Sequence, residues 1–113
     1  MKDAILLFTL AFITAGAAVA EDTQFRIPTD AKAIYTVIER SGTGRIRTIV
    51  TKREGPSGTS YSKRQYDCDQ NTWKYLGTGD TMEAMGASKP EKSMTPALAG
   101  SIASFVGGVA CRN

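Results

Sequence analysis

The chain has no histidine, and its only cysteines are Cys68 and Cys111. Without an imidazole, Ser-His-Asp and Cys-His nucleophilic machinery is excluded, and zinc loses its commonest ligand. With both cysteines oxidised, thiolate chemistry goes as well. Charge is missing from Met94 through Cys111, a long gap in a sequence that is otherwise rich in charged residues. The net charge of +3 is too mild to point to nucleic acid.

The remaining chemical candidates fail on spacing. Asp67, Asp69 and Asn71 in "DCDQN" resemble the opening of a calcium loop. The sixth position is Thr72 where glycine is needed, and the twelfth is Thr78 where glutamate is needed. These side chains read as turn formers. Ser60 and Lys63 have the spacing of a Ser-Lys nucleophile pair, but the companion motifs of such enzymes are absent. Asp80 and Glu83 fall in a stretch of little periodicity, a poor setting for an acid–base pair. The sequence therefore predicts no enzyme, no cofactor and no metal.

What the chain does contain starts with a leader. Lys2 precedes the apolar run "AILLFTLAFITAGAAVA", which ends in Ala18-Val19-Ala20 before Glu21-Asp22. Small residues at those positions suit signal peptidase, so residues 1–20 read as a signal peptide cleaved after Ala20. An N-terminal membrane helix is the alternative, disfavoured by Gly16 and the interrupting alanines. Position 21 is not cysteine, so no lipid anchor is expected. The expected product is periplasmic or secreted, with no transmembrane segment in its mature form. Its organisation is a lead-in over residues 21–31 and a single α+β domain over 32–113. Export favours a bond between Cys68 and Cys111, the one intramolecular pairing on offer. Two free thiols or a disulfide between chains are the alternatives. Closing so long a loop stabilises by roughly 4 kcal/mol in the chain-entropy view.

Alternation marks the strands. "AKAIYTVIER" sets Tyr35 and Val37 against Ile34, Thr36 and Ile38, and "RIRTIVTKR" sets Ile46, Thr48 and Val50 against Arg45 and Arg47. The "SGTG" turn between them makes a hairpin. After the loop "EGPSGTS", "YSKRQYDCD" places Ser62, Arg64, Tyr66 and Cys68 on one face, and "TWKYLG" places Trp73 and Tyr75 together. The expected sheet is an antiparallel meander of four or more strands with one buried face. Residues 77–94 read as a mobile excursion with one helical turn near Met82 to Met85.

The uncharged tail reads as a helix. Thr95 caps it, Pro96 takes its first position, and Leu98, Ile102, Phe105 and Val109 form an apolar stripe. It is too short to span a bilayer, and Gly107-Gly108 weakens it alone in water. It is expected to pack on one face of the sheet, tied there by the disulfide. Cys111 projects with Gly107, away from the stripe, which calls for either fraying after Gly108 or cover on both faces. Fraying is the preferred reading.

From Arg40 to Arg64 the basic residues Arg40, Arg45, Arg47, Lys52, Arg53, Lys63 and Arg64 meet Glu54 as the lone acid. On neighbouring strands they make a basic solvent face, either plainly solvated or a contact for an acidic partner. Arg45, Arg47, Lys63, Arg64 and Trp73 are the candidate partner-binding residues. Trp73 and Tyr75 read first as cross-strand packing.

The order of parts resembles small exported bacterial proteins of the surface-adhesin protein E type. Tyr66 and Cys68, Trp73 and Tyr75, then Pro96, Gly100, Ser101, Ile102 and Cys111 carry the resemblance, which covers roughly residues 32–112. It implies an antiparallel sheet with a C-terminal helix tied to it by one disulfide, and adhesion to host extracellular proteins. The expected function is a non-catalytic, adhesin-E-like binding module, whose partner is an unknown protein or an acidic glycan or envelope component. Alternatives are a small periplasmic inhibitor of an envelope enzyme such as a cell-wall hydrolase, acting through the 52–60 or 77–94 loop, and an accessory subunit of an envelope complex.

Overall fold

The computed structural model describes residues 23–113 in full and the backbone of Ala18–Ala20. The rest of the expected leader lies outside the described residues. Ala18–Ala20 forms strand β1 and Gln24–Phe25 forms β2; both pair antiparallel with β3, Ile34–Ser41. The chain continues through β4 (Ile46–Gly55), β5 (Gly58–Asp67) and β6 (Thr72–Gly79), each antiparallel to the one before. A short strand β7, Thr95–Pro96, closes the far edge against β6. Helix α1 spans Met82–Ala87 and helix α2 spans Ile102–Ala110. The expected α+β fold is present: an antiparallel meander with a C-terminal helix on it and a Cys68–Cys111 disulfide.

The lead-in belongs to the core. Phe25 stacks on Tyr35 at 5.4 Å between ring centroids, and Ile27 is fully buried. Ile27 joins Tyr35, Val37, Ile49 and Tyr66 from the sheet and Val106 and Ala110 from α2. The connection expected as the loop "EGPSGTS" is much tighter. Gly55 and Gly58 pair across it, leaving Pro56 and Ser57 as the turn, so β4 and β5 run almost to its tip. The helical turn expected near Met82 to Met85 is present as α1, and Glu91 N donates to Tyr75 O, while most residues from Asp80 to Met94 are exposed. Thr81 caps α1 by accepting from Ala84 N, and Met85 is buried over Gly77, where a Cβ would meet its carbonyl oxygen.

The tail departs from the expected helix in start and in face. Thr95 and Pro96 extend the sheet edge, where a proline without an N–H is tolerated. A short arm of Ala97 and Leu98 follows, and a turn in which Ser101 N donates to Leu98 O, with Gly100 at φ +84°, leads into α2. Ser101 is the true cap, its Oγ accepting from Ser104 N at 3.1 Å. Leu98 precedes the helix and is 68% exposed, and Phe105 also faces outward. The buried face is instead Ala103, Val106 and Ala110, with Ile102 and Val109 at its border. Small residues win because the sheet approaches closely. A Cβ on Gly107 would lie 2.7 Å from the Tyr66 ring. This also answers the Cys111 question. Cys111 projects with Gly107 because that side faces the sheet, and α2 stays helical through Gly108 to bring it to Cys68, Cα to Cα at 5.8 Å.

Candidate functional site

The alternation expected for β4 and β5 holds, but the arginine-bearing side of β4 is turned inward, while Val50 on its other side is buried as well. Arg47, Ile49, Thr51 and Arg53 share the side that carries Tyr35, Arg64 and Tyr66, and this is the side that α2 covers. Arg47 and Arg64 therefore do not stand on a solvent face. The apolar Ile49, Tyr35, Val37 and Tyr66 between them decide the matter, since their burial outweighs leaving the arginines in water.

The arginines on that side find three local solutions. Arg40 donates to Val109 O at 3.0 Å, and Arg47 donates to Ala110 O and Arg112 O. Both thus hold the free carbonyls at the C-terminus of α2, where the helix dipole favours a cation. Arg53 makes a forked ion pair with Asp30, Nε to Oδ2 at 2.7 Å and Nη2 to Oδ1 at 2.9 Å. Tyr35 also donates to Asp30 Oδ2. These bonds, Arg53's first and Tyr35's second, hold the Asp30 carboxyl down at about 2 from an ordinary 3.8. The Tyr35 hydroxyl is pushed up to about 12, by burial first and by Asp30 second. Burial likewise raises Tyr66, whose hydroxyl donates to Ala103 O at 2.6 Å and fixes the first turn of α2.

Arg64 is the exception. Only 4% exposed, it has no carboxylate partner among the described residues. Its guanidinium lies 5.6 Å from the Trp73 ring centroid and 5.1 Å from that of Tyr75. It donates to Thr51 Oγ1 at 3.3 Å and to Tyr75 Oη at 3.4 Å, both long, and its Nε has no hydrogen-bond partner among the described residues. A buried cation with so little compensation is costly.

Arg64 lies on the floor of a groove. α2 covers only part of the sheet, and beside it lies a cavity of about 620 Å³. Ser60, Ser62, Arg64, Trp73 and Tyr75 line its strand side, and the short arm with Leu98 and Ile102 forms the opposite rim. Its size is typical of sites for small organic ligands.

The candidate partner-binding residues separate. Arg64 and Trp73 meet in the groove. Arg47 is occupied at α2, and Lys63 points to the other side of β5. Arg45 is exposed beyond the start of β4 and pairs with Asp67 at 3.3 Å. Asp67 Oδ1 accepts from Asp69 N and Gln70 N, and Asn71 adopts φ +55°, so this segment is a turn, as its side chains suggest. Sequence reasoning missed Ser60, Ser62 and Leu98 as groove residues. The signal was present in Ser60-x-Ser62-x-Arg64-x-Tyr66, where hydroxyls replace bulk on the core-facing side.

No protein family, curated protein or solved structure matches this chain. Among the described residues, no helix is long and apolar enough to cross a membrane.

Proposed function

We propose that the protein is an exported, non-catalytic binding module of the adhesin-E-like kind, which engages its partner through the groove beneath the short arm. The observation that carries this reading is the buried Arg64 on the floor of a ready-made cavity. A purely structural role would favour an apolar residue there or a carboxylate beside it. Export to the periplasm or beyond agrees with the leader-like N-terminus and with a disulfide that leaves no free cysteine among the described residues. The acidic partner expected for a basic strand face is better met by the groove, since Arg40, Arg47 and Arg53 are engaged within the fold.

Filling the groove tests this. In the Ser62→Phe variant the ring would occupy the space above Arg64. In a thermal-shift survey with a broad set of small organic molecules, ligands that raise Tm for the wild type are expected to leave this variant unmoved. Equal shifts in both proteins, or no stabilising ligand at all, would count against the groove.

A further inference from the structure

Arg64 specifies more than a cavity. Five N–H groups project from a guanidinium in a planar fork, and here two make long bonds to neutral hydroxyl oxygens while Nε makes none to the described residues. The other groove cation, Arg53, is neutralised by the forked pair with Asp30. Among the described residues the floor therefore presents one uncompensated positive charge, in a lining that also includes Ser60 and Ser62. The tail's side of the groove is mixed: Pro96, Leu98 and Ile102 give it apolar surface near the Trp73 ring, and Thr95 and Ser101 also line it. Leu98, 68% exposed, adds an accessible apolar side chain to this lining.

We infer that the groove binds an organic monocarboxylate with an apolar body, its carboxylate on the Arg64 guanidinium and its body against Leu98, Ile102 and Trp73. This rests on the groove being the binding site and names the ligand class. Arg64 matches a planar carboxylate in geometry and charge, and a carboxylate accepts two parallel N–H bonds from such a fork. A phosphate monoester would bring a second negative charge with no cation to meet it. A neutral body of the same shape would gain the apolar contacts but leave Arg64 uncompensated.

Trp73, the only tryptophan in the chain, reports occupancy directly through its fluorescence. The purified oxidised protein is titrated with octanoate, octanamide and octyl phosphate, each below its micelle concentration. Octanoate is expected to change Trp73 emission saturably and to bind about tenfold or more tighter than octanamide, the loss expected for one charge-assisted contact. Octyl phosphate is expected to bind more weakly than octanoate. Arg64→Met should abolish the preference for octanoate over octanamide. Leu98→Asp changes an exposed rim residue outside the core and should weaken octanoate at least as strongly, whereas Lys74→Met, which lowers net charge elsewhere, should not. Equal affinities for octanoate and octanamide would overturn the carboxylate inference and leave the groove as a site. Tighter binding of octyl phosphate would overturn the monoanion assignment. Absence of binding by all three would overturn the inference, and the Ser62→Phe comparison then decides separately whether the groove takes any ligand.

Discussion

The arginines on the helix side of the sheet meet three fates, set by what each finds nearby: helix-end carbonyls for Arg40 and Arg47, a carboxylate for Arg53, and rings and hydroxyls for Arg64. Arg53 sits beside Asp30 and Tyr35, a connected set joining the turn at Pro28–Asp30 to β3 and β4. Because Asp30 titrates lower in the folded protein than in the unfolded chain, its contribution is complete above about pH 4 and disappears as pH falls to about 2. Replacing Asp30 by Asn is expected to cost about 1–3 kcal/mol at neutral pH. The gap from wild type should close between about pH 4 and about 2, measured by urea unfolding across that range. A gap independent of pH would show that the carboxylate charge is not what holds Arg53. Arg64 shows the opposite case, a cation for which the described residues supply rings and hydroxyls but no countercharge.

At the scale of elements, α2 shows how a small-residue face can outrank an oily one. The apolar stripe Leu98, Ile102, Phe105 and Val109 is the stronger pattern in the sequence, yet the helix begins later and turns Ala103, Val106, Gly107 and Ala110 to the sheet. Close approach to the Tyr66 ring sets this orientation, and the disulfide at Cys111 agrees with it. Gly107→Ala is therefore expected to destabilise by about 1–3 kcal/mol through overpacking, despite the better helix propensity of alanine. Gly108→Ala should stabilise by about 0.5–1 kcal/mol, since no heavy atom of the described residues lies within 4 Å of its Cβ position. Thermal unfolding of the pair checks both signs, and equal effects would refute the assigned face. The four long strands β3 to β6 were legible because period-two alternation dominates them, although irregularities interrupt the register at Val37/Glu39 and at Lys63/Arg64. Their facing was not, because Arg47, Arg53 and Arg64 read as solvent-seeking until their partners Ala110, Asp30, Trp73 and Tyr75 are known. The start of α2 was obscured by Thr95-Pro96, which suits a helix start as well as a sheet edge.

At the scale of the molecule, the tail has three consecutive roles. Thr95–Pro96 covers the edge of β6, the arm to Ser101 forms one wall of the groove, and α2 closes the core before Cys111 locks it to Cys68. The absence of charge from Met94 to Cys111 suits all three, since each lies against the sheet or the cavity. The groove itself was invisible in the sequence, because it is the space left when a short helix covers only part of a longer sheet. Its use as the binding site is the claim on which the functional account depends. Amide chemical shifts of the isotope-labelled protein, followed while octanoate is added, test that claim at every residue together. The account predicts shifts concentrated at Ser62, Arg64, Trp73, Tyr75, Leu98 and Ile102. Shifts concentrated instead at Lys52, Lys63 and Lys74, or at the Pro56–Ser57 turn, would contradict it.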